Sequence, residues 1–359
     1  MLGRVTDARL QPDAGPPAGA DRPVHTEPLA DWSGEHAARL DGPAPDASAE
    51  PESFVVRVDT GERIHYLDWG TPVGPIMPPL VLLHGIAQTC WSFAPIARRL
   101  CGLTSVVAPD LRGHGLSEAA AAGYDLDSLA ADMLTVMAGK GWGETAGGPP
   151  AVVAGHGFGA MIAATMAVLQ PASVAGVCLL DGGWEEVAEA TRSSPAELLA
   201  TMAEPPEVMS SLEAFLADRE AFDPPTWDAD QERAARSQVD ARFAGHVALV
   251  SRARALRAAV DSMFDYQPLQ ALGSAAALLS MLVAEAATPD DEAEHERRLA
   301  LADVVRVRAA SGLTAPRVVR LTGSAHNLMR YRPAEVAAEL LGLLEIAALT
   351  SDRMPGAPR

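Results

Sequence analysis

The stretch Val152–Met161, VVAGHGFGAM, has the spacing of a turn that presents a catalytic nucleophile. In such a turn a strand runs into a helix, and the pattern G-x-nucleophile-x-G places one side chain at the exposed tip. Gly155 and Gly159 occupy the two flanking positions, but the central position holds Gly157. Because glycine has no side chain that could attack a substrate, the pattern predicts the turn without its ordinary nucleophile.

The elements around this turn alternate between strand and helix patterns. FVVRVDTGERIHYLDWG predicts an antiparallel hairpin that turns at Asp59, Thr60 and Gly61. Six apolar strand patterns follow: PLVLLHG, SVVAPDL, AVVAGH, VAGVCLLDGG, AALLSMLVAEA and RVVRLTG. Helical patterns separate most of them, so we expect an α/β fold with a mostly parallel eight-stranded sheet flanked by helices.

The chain divides into four kinds of segment. Residues 1–53 are rich in Pro, Ala, Gly and Asp and predict a disordered tail. Residues 54–184 and 268–348 carry the strand and helix patterns of the core, and 349–359 form a C-terminal tail. Residues 185–267 contain no convincing strand and several helical patterns broken by EPPE and FDPPTW, which predicts an inserted helical cap.

Composition excludes several classes of partner. The chain has 359 residues, 48% of them hydrophobic, and a net charge of −19. An acidic surface repels phosphate backbones and anionic lipid, so neither nucleic acid nor a membrane is expected as a partner. No P-loop, GxGxxG or clustered metal ligands occur, so no cofactor and no metal are expected. The oligomeric state is left open.

The three cysteines indicate a cellular setting. Cys90, Cys101 and Cys178 are widely spaced and form neither a CxxC pair nor a metal-finger pattern. The first residues lack a continuous apolar segment, so no signal peptide is expected, and no apolar run is long enough to span a bilayer. These features predict a cytoplasmic protein in a reducing compartment.

Four motifs in a fixed order support a family resemblance. They are LLHG with His84, PDLRGHGLS, the GHGFG turn and GSAHNLMRYRPAEV with His326. With the strands between them, the chain resembles the α/β-hydrolase superfamily from about Phe54 to Ala348. It is most similar to bacterial single-domain members that have DGGW after the sixth strand (Asp181–Trp184) and a helical cap after it.

The resemblance implies a set of roles. In this family a serine on the turn, called the nucleophile elbow, attacks a carbonyl, a histidine takes its proton, and two backbone N–H groups bind the oxyanion. His326 matches the catalytic histidine, and the N–H groups of Ile86 and Phe158 match the oxyanion donors. Alternatively, HG and GHGFG only provide tight turns. Ser117, which ends GHGLS, is expected to support its turn and is not taken as a substitute nucleophile.

The acid that orients the histidine is ambiguous. The family usually has an aspartate shortly after the strand LLSMLVAEA, but the matching turn here reads Ala284, Glu285, Ala286, Ala287. Asp290 and Asp291 lie further on, where capping of a helix explains them. Asp181 takes this role in some branches of the family, although it also fits a turn with Gly182 and Gly183. We choose Asp181.

Gly157 leaves two functional interpretations. The protein either binds a small molecule without cleaving it, or His326 activates a water molecule in place of a serine. Apolar residues of the cap favour a small, largely apolar carbonyl compound such as an ester or lactone. His84 and Trp91 are expected to contact it, although turn formation and core packing are comparable explanations for them.

Overall fold

The computed structural model describes residues 49–73, 77–243, 245–286 and 291–351. The predicted N-terminal tail up to residue 48 and the C-terminal residues 352–359 lie outside these ranges. Asp290 also lies outside them.

Within the described ranges, ten strands form two sheets. Their bounds are β1 Glu52–Arg57, β2 Arg63–Asp68, β3 Leu80–Leu83, β4 Val106–Pro109, β5 Ala151–His156, β6 Val174–Leu180, β7 Val239–Asp240, β8 Ala248–Leu249, β9 Leu278–Glu285 and β10 Arg317–Thr322. The main sheet has eight strands in the order β1-β2-β4-β3-β5-β6-β9-β10. β2 runs antiparallel to β1 and β4, and the other neighbours are parallel. The predicted mostly parallel eight-stranded sheet is confirmed.

Helices cover both faces of this sheet and also occupy the segment predicted as a cap. Their bounds are α1 Ala94–Leu100, α2 Leu126–Gly139, α3 Phe158–Leu169, α4 Val187–Thr191, α5 Pro195–Thr201, α6 Leu212–Phe222, α7 Ala229–Ser237, α8 Ala253–Phe264, α9 Pro268–Ser274, α10 Asp291–Ala310, α11 Leu328–Tyr331 and α12 Pro333–Ser351. No helix in the described ranges is both long enough and apolar enough to cross a bilayer.

The central strands are apolar throughout because both of their faces are covered. Every residue of β3, β4 and β5 is buried. Along β5, Val153 packs into the core that contains α2 and α3, whereas Val152 and Ala154 pack into the core that contains α1 and α12. This two-layer burial makes the sheet a rigid support for the turns at the carboxyl ends of its strands.

The segment predicted as the cap contains helices α4 to α8 and its own small core around Phe215. It also contains a two-stranded ladder that the sequence does not predict, in which Val239 pairs with Leu249 and Asp240 with Ala248. Strands of two residues are too short to show alternation of polar and apolar residues, which is why the sequence pattern misses them.

Two predicted boundaries shift. β1 begins at Glu52 instead of Phe54, because Glu52 and Ser53 pair with Asp68 and Leu67 of β2. The last helix continues to Ser351, three residues beyond the predicted end of the core.

Candidate active site

The turn between β5 and α3 keeps the shape of a nucleophile elbow. A Cβ atom on Gly155 would lie 2.1 Å from the carbonyl oxygen of Gly159, and one on Gly159 would lie 2.2 Å from the carbonyl oxygen of Leu83. Both flanking glycines are therefore required by close approach of the backbone. At Gly157, with φ 50° and ψ −107°, the nearest atoms to an added Cβ are His326 Nε2 at 3.6 Å and Cε1 at 3.8 Å. The centre of the elbow has room for a side chain.

His326 lies in the loop between β10 and α11, with its imidazole above the elbow. Its Nδ1 is 2.8 Å from Oδ2 of Asp181. Its main-chain oxygen accepts a hydrogen bond of 3.0 Å from Nε2 of His156, which fixes the loop on the elbow. With Nδ1–H donating to the carboxylate, Nε2 presents its lone pair toward the space over Gly157.

Asp181 follows β6 directly and has φ 46°, a strained backbone for a residue with a Cβ atom. Its Oδ1 accepts hydrogen bonds from the N–H of Ala284 (2.8 Å) and from Nη2 of Arg297 (2.7 Å). Burial alone would raise the pKa of Asp181, but the hydrogen bond from His326 and the charge of Arg297 outweigh it and hold that pKa below its usual value. Asp181 is therefore ionised at neutral pH.

Arg297 of α10 was not identified from the sequence. It donates to Asp181 and to the carbonyl oxygen of Ala284 (3.1 Å), and its Nε lies 3.6 Å from Glu185 Oε2. Burial is the largest reason that the pKa of Glu185 is raised, and the neighbouring Asp181 carboxylate adds to it. Arg297 lies in a predicted helix rich in charged residues, where nothing in the sequence separates a buried arginine from exposed ones.

The other two acid candidates are not placed beside the histidine by any described contact. Asp290 lies outside the described residues, and Asp291 is the first residue of α10. The structure thus brings together Asp181 and His326 across 145 positions of sequence.

Ile86 and Phe158 both line the cavity beside Gly157. Phe158 is the first residue of α3, so its N–H has no acceptor within the helix. Among the hydrogen bonds of the described residues, neither N–H is a donor. Neither N–H is therefore committed to another acceptor in the described part of the chain.

His84 and Trp91 are not among the described residues that line the cavity. Nε2 of His84 accepts from the N–H of Leu111 (3.0 Å) and its Nδ1 donates to the oxygen of Gly85 (2.8 Å), so the ring joins two turns. Burial lowers the pKa of His84. The ring of Trp91 packs under the guanidinium of Arg233, 4.4 Å away. These contacts favour the turn and packing explanations over contact with a ligand.

Ser117 also has a local role. Its hydroxyl donates to the carbonyl oxygen of Asp110 (2.7 Å) and accepts from the N–H of His65 (2.9 Å). The side chain therefore braces the PDLRGHGLS turn against β2, as the sequence predicts.

A cavity of about 1220 Å³ opens over the elbow. Apolar residues from the core and the cap line part of it, including Phe158, Met161, Leu198, Met202 and Met263. Six of the described lining residues carry carboxylates and two are arginines. The cavity therefore combines an apolar wall with a negative charge.

Only one group of described residues has the spacing of a metal site. The ligand atoms of His65, Cys90 and Asp110 lie within 4.8 Å of one another. Both ring nitrogens of His65 and both carboxylate oxygens of Asp110 already take part in hydrogen bonds. A metal ion would have to break these bonds, so the group is better described as a hydrogen-bonded cluster.

The comparison with known families decides the identity. The sequence model described as "Alpha/beta hydrolase family" matches residues 80–339, which is more than half of the chain. The chain belongs to the alpha/beta hydrolase family.

Individual members of the alpha/beta hydrolase family match over shorter regions. The chain is 36% identical over 139 residues to Epoxide hydrolase 4 of Mus musculus, covering 38% of this chain and 36% of that protein. It is 31% identical over 126 residues to 2-(acetamidomethylene)succinate hydrolase of Mesorhizobium japonicum, covering 35% of this chain and 41% of that protein. These matches span well under half the length of each relative.

Solved alpha/beta hydrolase structures match most of the chain. E-2-(Acetamidomethylene)succinate Hydrolase superposes with a TM-score of 0.65 at 21% identity, covering 82% of this chain and 99% of that one. The enol-lactonase from Burkholderia xenovorans superposes with a TM-score of 0.56 at 15% identity, covering 81% of this chain and all of that one. At these identities the likeness establishes the fold.

Proposed function

We propose that this alpha/beta hydrolase binds a small, largely apolar carbonyl compound of the ester or lactone type and hydrolyses it slowly, with water as the nucleophile. One observation carries the proposal. Nε2 of His326 lies 3.6 Å from the Cβ position of Gly157, while Nδ1 is held at 2.8 Å by Asp181. This arrangement supports His326 as a base that acts on a water molecule in the space over Gly157.

Each group has a role in this reaction. His326 Nε2 takes a proton from the water as its oxygen attacks the carbonyl carbon, and Asp181 stabilises the imidazolium that forms. The N–H groups of Ile86 and Phe158 bind the oxyanion. When the tetrahedral intermediate collapses, the leaving alcohol takes the proton from His326. Since no covalent nucleophile is present, the acceleration is expected to be on the order of 10³–10⁴-fold over water.

The cavity and the elbow favour a carbonyl substrate over an epoxide. Opening an epoxide through a covalent ester needs a carboxylate at the elbow, and Gly157 supplies none. Two of the similar proteins are named for hydrolysing an acetamidomethylene succinate and an enol lactone. The excess of carboxylates around the cavity disfavours anionic substrates, so a neutral ester or lactone fits best.

A second function, binding without turnover, is favoured by the lack of a nucleophilic side chain at Gly157. In that case the same cavity holds the same class of compound, and the His326–Asp181 pair only orders the loop. We also propose a reducing, cytoplasmic setting, supported by Cys90 and Cys178, which are buried and free.

Assays of the wild type, Gly157→Ser and His326→Ala on a panel of neutral short-chain esters and lactones separate the two functions. Wild-type turnover that disappears in His326→Ala supports hydrolysis by water. If the wild type is inert and Gly157→Ser gains activity, the protein is a binder that retains the remaining machinery. Inactivity of all three proteins would contradict both the proposed role of His326 as a base and the proposed oxyanion hole.

A further inference from the structure

A second hydrogen-bonded series of aspartate, histidine and serine side chains lies outside the cavity. Oγ of Ser53 is 2.7 Å from Nε2 of His65, and Nδ1 of His65 is 2.8 Å from Oδ2 of Asp110. Ser53 is on β1, His65 is on β2 and Asp110 follows β4. Neighbouring strands of one sheet thus hold the three side chains in line, remote in sequence from Gly157.

The hydrogen bonds around Asp110 determine that Nδ1 of His65 carries a proton. Its Oδ1 accepts from the N–H of Cys90 (2.8 Å), and its Oδ2 accepts from the N–H of Leu116 (2.9 Å). Burial would raise the pKa of Asp110, but the hydrogen bond from His65 and the neighbouring imidazoles lower it further than burial raises it. The ionised carboxylate accepts from Nδ1–H, and in the neutral imidazole Nε2 of His65 then carries the lone pair and accepts from the Ser53 hydroxyl.

Burial decreases from Asp110 and His65 to Ser53, as activation of a hydroxyl by a general base requires. Asp110 and His65 are buried, whereas Ser53 is exposed. The base is shielded from water and its partner hydroxyl is open to a reagent. β1 is also the edge strand of the sheet among the described residues, where no strand pairs with its backbone N–H groups that point away from β2.

We propose that Ser53 is an activated nucleophile, with His65 as its base and Asp110 as the group that orients His65. The site takes acyl or phosphonyl donors with good leaving groups, since Ser53 is exposed and the described residues form no enclosed oxyanion hole around it. With a phenyl ester, Oγ of Ser53 bonds to the carbonyl carbon and its proton moves to Nε2 of His65. The bond to the phenol oxygen then breaks, and the phenol leaves with that proton. With a fluorophosphonate, a P–O bond replaces the P–F bond and fluoride leaves.

This site is independent of the proposed cavity function. Stoichiometric release of phenol by acylation of Ser53 would survive His326→Ala and be lost in Ser53→Ala, whereas turnover through the elbow would show the opposite pattern. The two proposals can therefore fail separately.

The test is labelling of the full chain with a fluorophosphonate probe, followed by peptide mass spectrometry. We expect a label on Ser53 and none on Ser210, an exposed serine whose hydroxyl donates to the carbonyl of Glu207. Replacing the base, in His65→Gln, should slow labelling of Ser53 by at least about 100-fold. Ser53 that is unlabelled, or labelled no faster than Ser210, overturns the proposal.

A second pair of variants covers the case in which His65→Gln does not fold. Ser53→Cys and Ser210→Cys each place a thiol on the surface. We expect iodoacetamide to alkylate the cysteine at position 53 at least about tenfold faster at neutral pH, because a nearby imidazole favours the thiolate. Equal rates at the two positions would show that His65 does not activate its neighbour.

Discussion

Nε2 of His326 lies 3.6 Å from the point at which a side chain on Gly157 would begin. The histidine is held there from two sides, by Asp181 at Nδ1 and by His156 at its main-chain oxygen. A serine at 157 would therefore find its base already in position. The elbow therefore differs from the G-x-nucleophile-x-G pattern only at its central residue, and the contacts of His326 with Asp181 and His156 are in place around it.

Placing a serine at position 157 should lower the stability of the protein and give it a covalent nucleophile. Gly157→Ser places a Cβ atom at φ 50°, which costs on the order of 1–3 kcal/mol, without a steric clash. We expect a lower free energy of unfolding in urea and a burst of p-nitrophenol from p-nitrophenyl acetate.

Gly157→Ala is the matched control for this change. It should lose the same stability. With both variants made in a Ser53→Ala background, which removes the second proposed nucleophile, Gly157→Ala should show no burst, because it adds the Cβ atom without the hydroxyl. An equal burst in both variants would place the reaction away from position 157.

Arg297 should control the protonation of the acid. Its side chain is 24% exposed and its partner Asp181 is buried, so Arg297→Met leaves a buried carboxylate without its cation. We expect a loss of about 3 kcal/mol of stability. We also expect the acid limb of the pH–rate profile, measured in the Gly157→Ser background, to move to higher pH.

Arg298→Met is the control for Arg297. That side chain is 61% exposed and pairs with Glu294 one helical turn away, so its removal should change stability by less than about 1 kcal/mol. Arg297→Lys should restore part of the acid limb. An unchanged acid limb in Arg297→Met would show that Arg297 only packs against its neighbours.

Two buried histidines should make stability depend on pH. Burial, followed by the charge of a neighbouring histidine, lowers the pKa of His114 to about 3 and that of His156 to about 3. Each stays neutral in the folded protein, but takes up a proton on unfolding once the pH falls below about 6.5. Stability is therefore complete above pH 6.5 and falls toward pH 3, by about 3 kcal/mol per pH unit for the pair.

Urea titrations at several pH values between 7 and 4.5 measure this slope. His114→Gln should remove the uptake of one proton and so reduce the slope of the free energy of unfolding against pH by about 1.4 kcal/mol per pH unit. His295→Gln, at an exposed position, should leave it unchanged. If the urea midpoint of the wild type does not vary with pH, the imidazole rings of His114 and His156 are charged in the folded state.

Arg308 should be a large contributor to stability. It is fully buried and donates to the carbonyl oxygens of Leu272, Ala275, Ala277 and Thr314 at 2.9–3.0 Å. Burial lowers its pKa to about 10, so it remains charged at neutral pH, and no carboxylate pairs with it in the described part of the chain.

Arg308→Met should cost roughly 3–5 kcal/mol, because several buried carbonyls lose their donors at once. Arg306→Met, whose side chain is 72% exposed, is the control and should stay within about 1 kcal/mol of the wild type. Thermal unfolding of the two variants makes the comparison. Equal effects would mean that other groups or water replace the donors lost at Arg308.

The sequence predicts the sheet and the elbow well because their signals are local. Apolar runs mark strands that are buried on both faces, and the GHGFG spacing reflects backbone contacts that only glycine permits. The ladder in the cap and the extra residues of β1 are missed because pairing with a partner strand defines them.

The site was harder to predict than the fold. The sequence favours Asp181 as the acid over Asp291, but each also has a local explanation, at a turn or at a helix start. Only the folding of β6 against the loop of His326 separates them. Arg297 and the Ser53–His65 contact give no sequence signal, because each depends on the three-dimensional placement of ordinary polar residues.

The contacts that shape the elbow have an evolutionary consequence. They run from backbone to backbone, through Gly155 and Gly159, and none of them involves a side chain at position 157. Codons for glycine and serine can differ by a single base. A single base change can therefore add a hydroxyl at this position while the backbone contacts that build the elbow stay in place, at the cost of the strain that a Cβ atom meets at φ 50°.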